Sequence, residues 1–424
     1  MLSRRQFLNR SLATSSLLSL GTVVPQFIAR TASAAEAQKD NTILVVIEMN
    51  GGNDGLNTVL PYGDDLYHKY RPTLKASAEN CVKLDDHVGL HPGMRNGFEA
   101  MFKKGHLAVV QGVGYPNPDR SHFESMDVWQ MGDPRRKMGN GWLGRSAGEL
   151  QPKNGDIPIM NIGPTRLPLA LQGGVGAISI NNQHPYRLDL GGGTEERHTA
   201  RRKLLEDLAK PEDDQKGRLV DFVYRRQVQT LTTLDRLQEV LEKGSNNNNF
   251  FSYGPDGKPY TANSLPVKLQ LVARLIQQGF GTRVFYVMKD GFDTHSGQAE
   301  EHRRLLAEVA DGINQFFTTL EQSKHAQRVV VMTYSEFGRR VEENASKGTD
   351  HGAGSCLFVA GPGLSGGVIG DHPSLKDLDS GDLKYHTDFR QVYATLLDNW
   401  LGVDSNAVLN GKFEHLSFLK AKKA

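Results

Sequence analysis

Five short segments carry the carboxylates, imidazoles and hydroxyls that could do chemistry, each set among glycines or turn residues. They are NGGNDGLNT (50–58), PNPDRSHFESMDVW (116–129), DGFDTHSGQ (290–298), SEFGRR (335–340) and KGTDHGAG (347–354). Carboxylate and imidazole together suit a zinc- or manganese-type ion. On residue type the metal candidates are Asp54, Asp293, His295, Glu336, Asp350 and His351. Asp54 is either such a ligand or the cap of an ordinary strand-to-helix turn. Asp293 and His295 lie two apart, and Asp293 or Ser296 could equally cap the helix that follows. Glu336 is a ligand or the partner of Arg339. Ser121 stands at a helix start, where backbone N–H groups and the dipole suit a phosphate or an alkoxide, or simply serve as an N-cap bond. Ser121, with His122, Arg120 and Arg339, makes the catalytic candidate set. Arginine can grip nonbridging oxygens in bidentate fashion.

These residues need elements to hold them. Apolar runs at 42–49, 106–113, 157–163, 282–289, 328–335 and 356–361 read as strands, and 266–279 and 300–323 carry apolar residues at helical spacing. Continuous apolar strands alternating with helices predict a mostly parallel α/β sheet covered on both faces. In such sheets ligands bind beyond the carboxyl ends of the strands. Four of the five segments directly follow a predicted strand. KGTDHGAG instead precedes one. A charged helical stretch at about 198–243 breaks the rhythm and ends in KGSNNNNFFSYGPDGKPY. Residues 185–262 therefore read as an insertion or cap on one α/β domain spanning 36–424.

A 424-residue chain with a formal net charge of +2 gives no broad electrostatic case for nucleic acid. Two distant cysteines make neither a disulfide framework nor a thiolate metal site. At the N-terminus SRRQFL (3–8) leads into a short, interrupted apolar run and then TASAAEA, suited to cleavage near Ala34 or Ala35. The pattern resembles a twin-arginine export signal over 1–35, with Asn9 where lysine is common. It predicts passage through the twin-arginine translocase to a periplasmic or secreted location, with no membrane span in the mature protein.

The order of Asp after the first strand, then Ser, Asp and His after a later strand, an acid after VVVMTYS, and His before a strand ending in GPG resembles the alkaline phosphatase superfamily. The segments GGNDGLNTVLPY, SHFESMDVW, DTHSGQ, SEFGR and GTDHG look like the DUF1501 proteins, over nearly all of the mature chain. The resemblance implies an alkaline phosphatase-like fold and one or two divalent ions (zinc, manganese, calcium or magnesium). It implies a metal-dependent hydrolase of phosphate or sulfate esters acting on an anionic ester, with Ser121 or a metal-activated water as nucleophile. Departures exist. The Asp-x-His spacing of 293 and 295 is short, Phe337 stands where a metal histidine usually follows the acid, and no Cys/Ser-x-Pro-x-Arg sequence is present. The alternative is a catalytically degenerate relative acting as an envelope binding or assembly protein. In YHTDFRQVYATLLDNWLG the reading is Asp388 as an N-cap, Leu396, Leu397 and Trp400 as core, and His386 as structural.

Overall fold

A computed structural model describes residues 42–150, 157–163, 166–173, 177–180, 200, 203, 233, 236–239, 257 and 260–420. The export signal expected at 1–35 and nearly all of the insertion expected at 185–262 lie outside these residues.

The strands of the main sheet are β1 (Ile43–Asn50), β2 (Leu107–Gly114), β3 (Ile159–Ile162), β4 (Ala177–Ile180), β5 (Val284–Asp290), β6 (Val329–Tyr334), β7 (Ser355–Ala360), β8 (Gly367–Ile369) and β9 (Thr387–Asp388). They form one nine-stranded sheet in the order β8-β2-β7-β6-β1-β5-β3-β4, with β9 also on β2. All pairings are parallel except those of β7, which runs antiparallel to both β2 and β6. The fold is thus α/β with a mostly parallel sheet, as the apolar runs predict.

Successive residues of a strand face opposite sides, and β1 shows it. Ile43, Val45 and Ile47 enter one core, together with Phe98 of α1 (Arg95–Lys103), Leu269 of α4 (Leu265–Gln277) and Leu305 of α5 (Gln298–Gln322). Leu44 and Val46 enter the other, with Trp129 of α2 (His122–Met131), Trp142 of α3 (Trp142–Ser146) and Tyr393 of α6 (Phe389–Thr395). Both faces are therefore covered, which is why the strands are apolar throughout. Asp388 caps α6 in a capping box with Gln391, and Leu396, Leu397 and Trp400 are buried, as read from sequence. His386 is spent on local bonds to the Asp371 carbonyl and Thr387.

The single reversed strand decides where the chemistry goes. Parallel β1, β2, β5 and β6 all end at one edge of the sheet. Because β7 runs the other way, its entry lies at that same edge. The loops after four strands and the loop before a fifth therefore meet.

Candidate metal centre

The meeting point is Asp293, in the loop after β5. Its Oδ1 lies 3.0 Å from Nε2 of His295, 3.3 Å from Nε2 of His351 and 3.5 Å from Nε2 of His122. The two Nε2 atoms of His295 and His351 are 2.9 Å apart. The ligand atoms of His122, Asp293 and His351 all fall within 4.8 Å of one another.

Two of the imidazoles have the other nitrogen hydrogen-bonded, and the third faces a carboxylate. Nδ1 of His122, the first residue of α2, donates to Glu336 Oε1 at 2.8 Å. Nδ1 of His351 donates to the backbone carbonyl of Arg120 at 2.8 Å. Nδ1 of His295 lies 3.5 Å from Asp350 Oδ1. A histidine whose Nδ1–H is so held keeps Nε2 as a lone-pair donor, the usual outer arrangement around a metal ligand. Nε2 of His122 is buried and has no hydrogen-bond partner among the described residues. A buried nitrogen without a partner is costly, and a cation at this point would satisfy it. The donor set of three imidazoles and one carboxylate suits zinc or a similar divalent transition ion.

Glu336 is fully buried at the end of β6. Oε1 also accepts the Gly51 N–H at 2.9 Å, and Oε2 lies 2.9 Å from Ser335 Oγ. Its oxygens are thus committed to His122 and to the loop after β1, so it orients a ligand rather than joining the set. Asp350 takes the same part for His295 and accepts from Asn344 Nδ2 at 3.1 Å, which leads the contacts that hold its carboxyl below the ordinary range. The bond to Glu336 is the main cause that raises the His122 pKa, whereas burial lowers that of His351. Burial works against ionisation of Asp293. The hydrogen bond and charge of Arg339 outweigh it and hold that carboxyl low.

Two residues expected at the centre are engaged elsewhere. Asp54 is buried in a bidentate pair with Arg71 (2.5 and 3.0 Å) and accepts a third bond from Gln298 Nε2 at 2.5 Å. Although burial opposes its charge, Arg71 brings the pKa to about 2. With both oxygens saturated, Asp54 is a positioning group. Gln298 in turn accepts from Thr349 Oγ1 at 2.6 Å, which ties the first loop to the loop carrying His351. Arg339 is equally committed. Its fork donates to the carbonyls of Gly51, Gly52 (2.6 Å), Phe292 (3.1 Å) and Thr349 (2.9 Å) and to Asp293 Oδ1 at 2.7 Å. Its Nη1 also faces His295 Nε2 at 3.4 Å, so it stitches the loops together and has no donor to spare for a substrate.

Loop packing explains the glycines. A Cβ on Gly348 would stand 2.2 Å from the His295 carbonyl carbon, and one on Gly352 2.5 Å from that of Arg339. Between them, Arg339 and His351 form an antiparallel bridge. The catalytic candidates fare unequally. Ser121 is half-buried at the N-cap of α2 and its side chain makes no capping bond. Its N–H donates to Asp119 Oδ1 at 2.7 Å. The Arg120 guanidinium uses Nε and Nη2 on Asp382 Oδ2, at 2.9 and 2.5 Å.

The family model for "Protein of unknown function (DUF1501)" matches residues 41–416. No curated protein matches the chain. Among solved structures the chain is similar to the PsFucS1 sulfatase from Pseudoalteromonas sp. (10% identity, TM-score 0.41, covering 92% of this chain and 73% of that one). It is also similar to alkaline phosphatase from the Antarctic bacterium TAB5 (11% identity, TM-score 0.30, 77% and 94% covered). A third is the phosphonate monoester hydrolase SpPMH from Silicibacter pomeroyi (10% identity, TM-score 0.35, 88% and 75% covered).

Proposed function

The chain belongs to the DUF1501 family, and from that premise and the geometry above we propose that it is a hydrolase holding one divalent ion between His122, His295, His351 and Asp293. The observation that carries this is the aim of three Nε2 atoms at one carboxylate oxygen, with one of them buried and unpartnered. The motif order, which resembles the alkaline phosphatase superfamily, supports a phosphate or sulfate ester as substrate. When bound, the ion supplies Lewis acidity for an ester oxygen and makes water acidic enough to attack near neutral pH.

The chain's own residues do the rest. Glu336 fixes the tautomer of His122 and Asp350 that of His295, so both rings present nitrogen lone pairs. Arg339 offsets part of the negative charge of Asp293 and holds five loop groups in register. Ser121, beside His122 at the N-terminus of a ten-residue helix, has a hydroxyl that makes no capping bond among the described residues, where N–H dipoles favour an anion. It is the candidate nucleophile, with water as the alternative. The SRRQFL segment supports delivery by the twin-arginine translocase to the periplasm or outside.

The test is elemental analysis of the mature protein together with phosphomonoester, phosphodiester and sulfate-ester assays. One ion per chain is expected, and Asp293→Ala with His295→Ala should lose both metal and turnover. A metal-free or doubly substituted protein that stays fully active refutes the reading. Stoichiometric metal without turnover on any ester would favour a binding protein instead, a reading supported by the full commitment of Arg339 to its own loops.

A further inference from the structure

A cleft of about 660 Å³ opens directly beside the metal centre. One wall is the loop from Asn117 to Arg120, which leads into Ser121 and His122. The other is the hairpin carrying Asp382, Lys384 and Tyr385. Arg120 spans the two walls, and its carbonyl is the group that holds His351. The cleft therefore adjoins the proposed ligand set through Arg120.

Its polar lining is unevenly satisfied. Both Arg120 bonds converge on Oδ2 of Asp382. The Asp382 side chain is only 3% exposed, yet its Oδ1 has no hydrogen-bond partner among the described residues. Burial raises the pKa of this carboxyl in spite of Arg120. A buried acceptor of this kind gains when a donor reaches it. On the other wall Arg120, with a half-exposed side chain, keeps Nη1 unused among the described residues. The cleft thus has an exposed donor in Arg120 and, buried just behind the Arg120–Asp382 pair, an unpartnered acceptor, with Tyr385 also on its lining.

Its charge is as informative. Asp119, Asp379 and Asp382 face Arg120 and Lys384, three carboxylates against two cations. Both cations are already paired, Arg120 with Asp382 and Lys384 with Asp377 at 2.5 Å. Nothing here welcomes a second anionic group.

We propose that this cleft receives the leaving-group side of the substrate, and that this side is a neutral, hydroxyl-rich body such as a sugar, read by Asp382 Oδ1 as acceptor and Arg120 Nη1 as donor. A vicinal diol presents the matching donor and acceptor. The Arg120 guanidinium, the half-exposed partner, must shift slightly to admit it. The proposal rests on the hydrolase reading for its direction, since the ester group would sit at the metal and the alcohol in the cleft. It makes nucleotides and polyphosphates poor substrates.

The probes are methyl α-D-glucopyranoside, galactopyranoside and mannopyranoside, with inorganic pyrophosphate as the charged control. Binding to the mature protein is followed by saturation-transfer NMR, with and without metal. At least one glycoside should bind in both states, since none carries an ester for the metal, and pyrophosphate should not compete. Asp382→Asn and Arg120→Gln should each weaken that glycoside by about tenfold or more. Unchanged melting temperature shows that the variants are folded. Failure of all three glycosides to bind overturns the proposal. So does an affinity within about twofold of wild type in both variants, or displacement by pyrophosphate. Because the probes need no metal, glycoside binding with no esterase activity would sink the hydrolase reading alone. Ester turnover without glycoside binding would sink the cleft assignment alone.

Discussion

Replacing Glu336 by Gln separates the charge of this residue from its shape. In the native site Oε1 accepts from Nδ1 of His122 at 2.8 Å and from the Gly51 N–H at 2.9 Å. The amide oxygen of Gln can keep both bonds, and its NH2 can donate to Ser335 Oγ, which stands 2.9 Å from Oε2. The side chain is fully buried, so little else changes. What is lost is the negative charge that makes His122 a stronger base and a better ligand. Outer-shell substitutions of this kind cost about 10–100-fold in metal affinity, or about 1.4–2.7 kcal/mol. Glu336→Ala should cost more, because it also strands the Gly51 N–H. The assay is competition against a fluorescent zinc chelator, with the melting temperature of the metal-free protein as a control for folding. Metal affinity equal to wild type in Glu336→Gln would refute the assignment of Glu336 as the group that tunes His122. An equal loss of metal-free stability would make its role purely structural.

Other outcomes follow from the same geometry. Asp54→Asn leaves Arg71 buried without its charge partner and should destabilise the fold by about 3–5 kcal/mol in urea denaturation. The Asp54 pKa falls from 3.8 to about 2 on folding, so its stabilisation is present above pH 4 and is lost as pH falls toward 2. Glu48 behaves in the opposite sense. It sits in β1 among Tyr286, Tyr334 and Gln130, and burial raises its pKa from 4.5 to about 7. The fold therefore favours its protonated form, and stability should fall as pH rises from 4.5 through 7. In Glu48→Gln that slope, measured by denaturation at several pH values, should flatten. Arg339→Lys cannot reproduce a fork bonded to four carbonyls and Asp293. It should cost about 3 kcal/mol or more in denaturation and loosen the metal site, read as a weaker dissociation constant.

The sheet was legible in the chain because strands covered on both faces must be apolar along their whole length. β1, β2, β5, β6 and β7 fall within a residue or two of their predicted runs. The short strands β4 (AISI), β8 (GVI) and β9 (TD) were not legible, since two to four residues are too few to carry a period. The reversal of β7 was equally silent. Yet it alone explains why KGTDHGAG, placed before a strand, reaches the same edge as loops placed after strands. Asp293, His295 and His351 were visible as ligand types in turn-rich loops. His122 read as a catalytic candidate and not as a ligand, because only the folded chain aims its Nε2 at Asp293. Asp54, Glu336 and Asp350 show the limit of residue type as a guide. A carboxylate near a centre can bind the ion, orient a histidine or neutralise an arginine, and only its hydrogen bonds tell these apart. Arg71, which saturates Asp54, lies 17 residues away with no motif around it.

The central claim is that one ion is held by His122, His295, His351 and Asp293. Anomalous diffraction from crystals of the protein grown with zinc tests it most directly. The account predicts a single peak bonded to the three Nε2 atoms and to Asp293, with Glu336 and Asp350 remaining on the Nδ1 atoms behind. A peak coordinated by Asp54 or Glu336, or no peak among the three histidines, would contradict it.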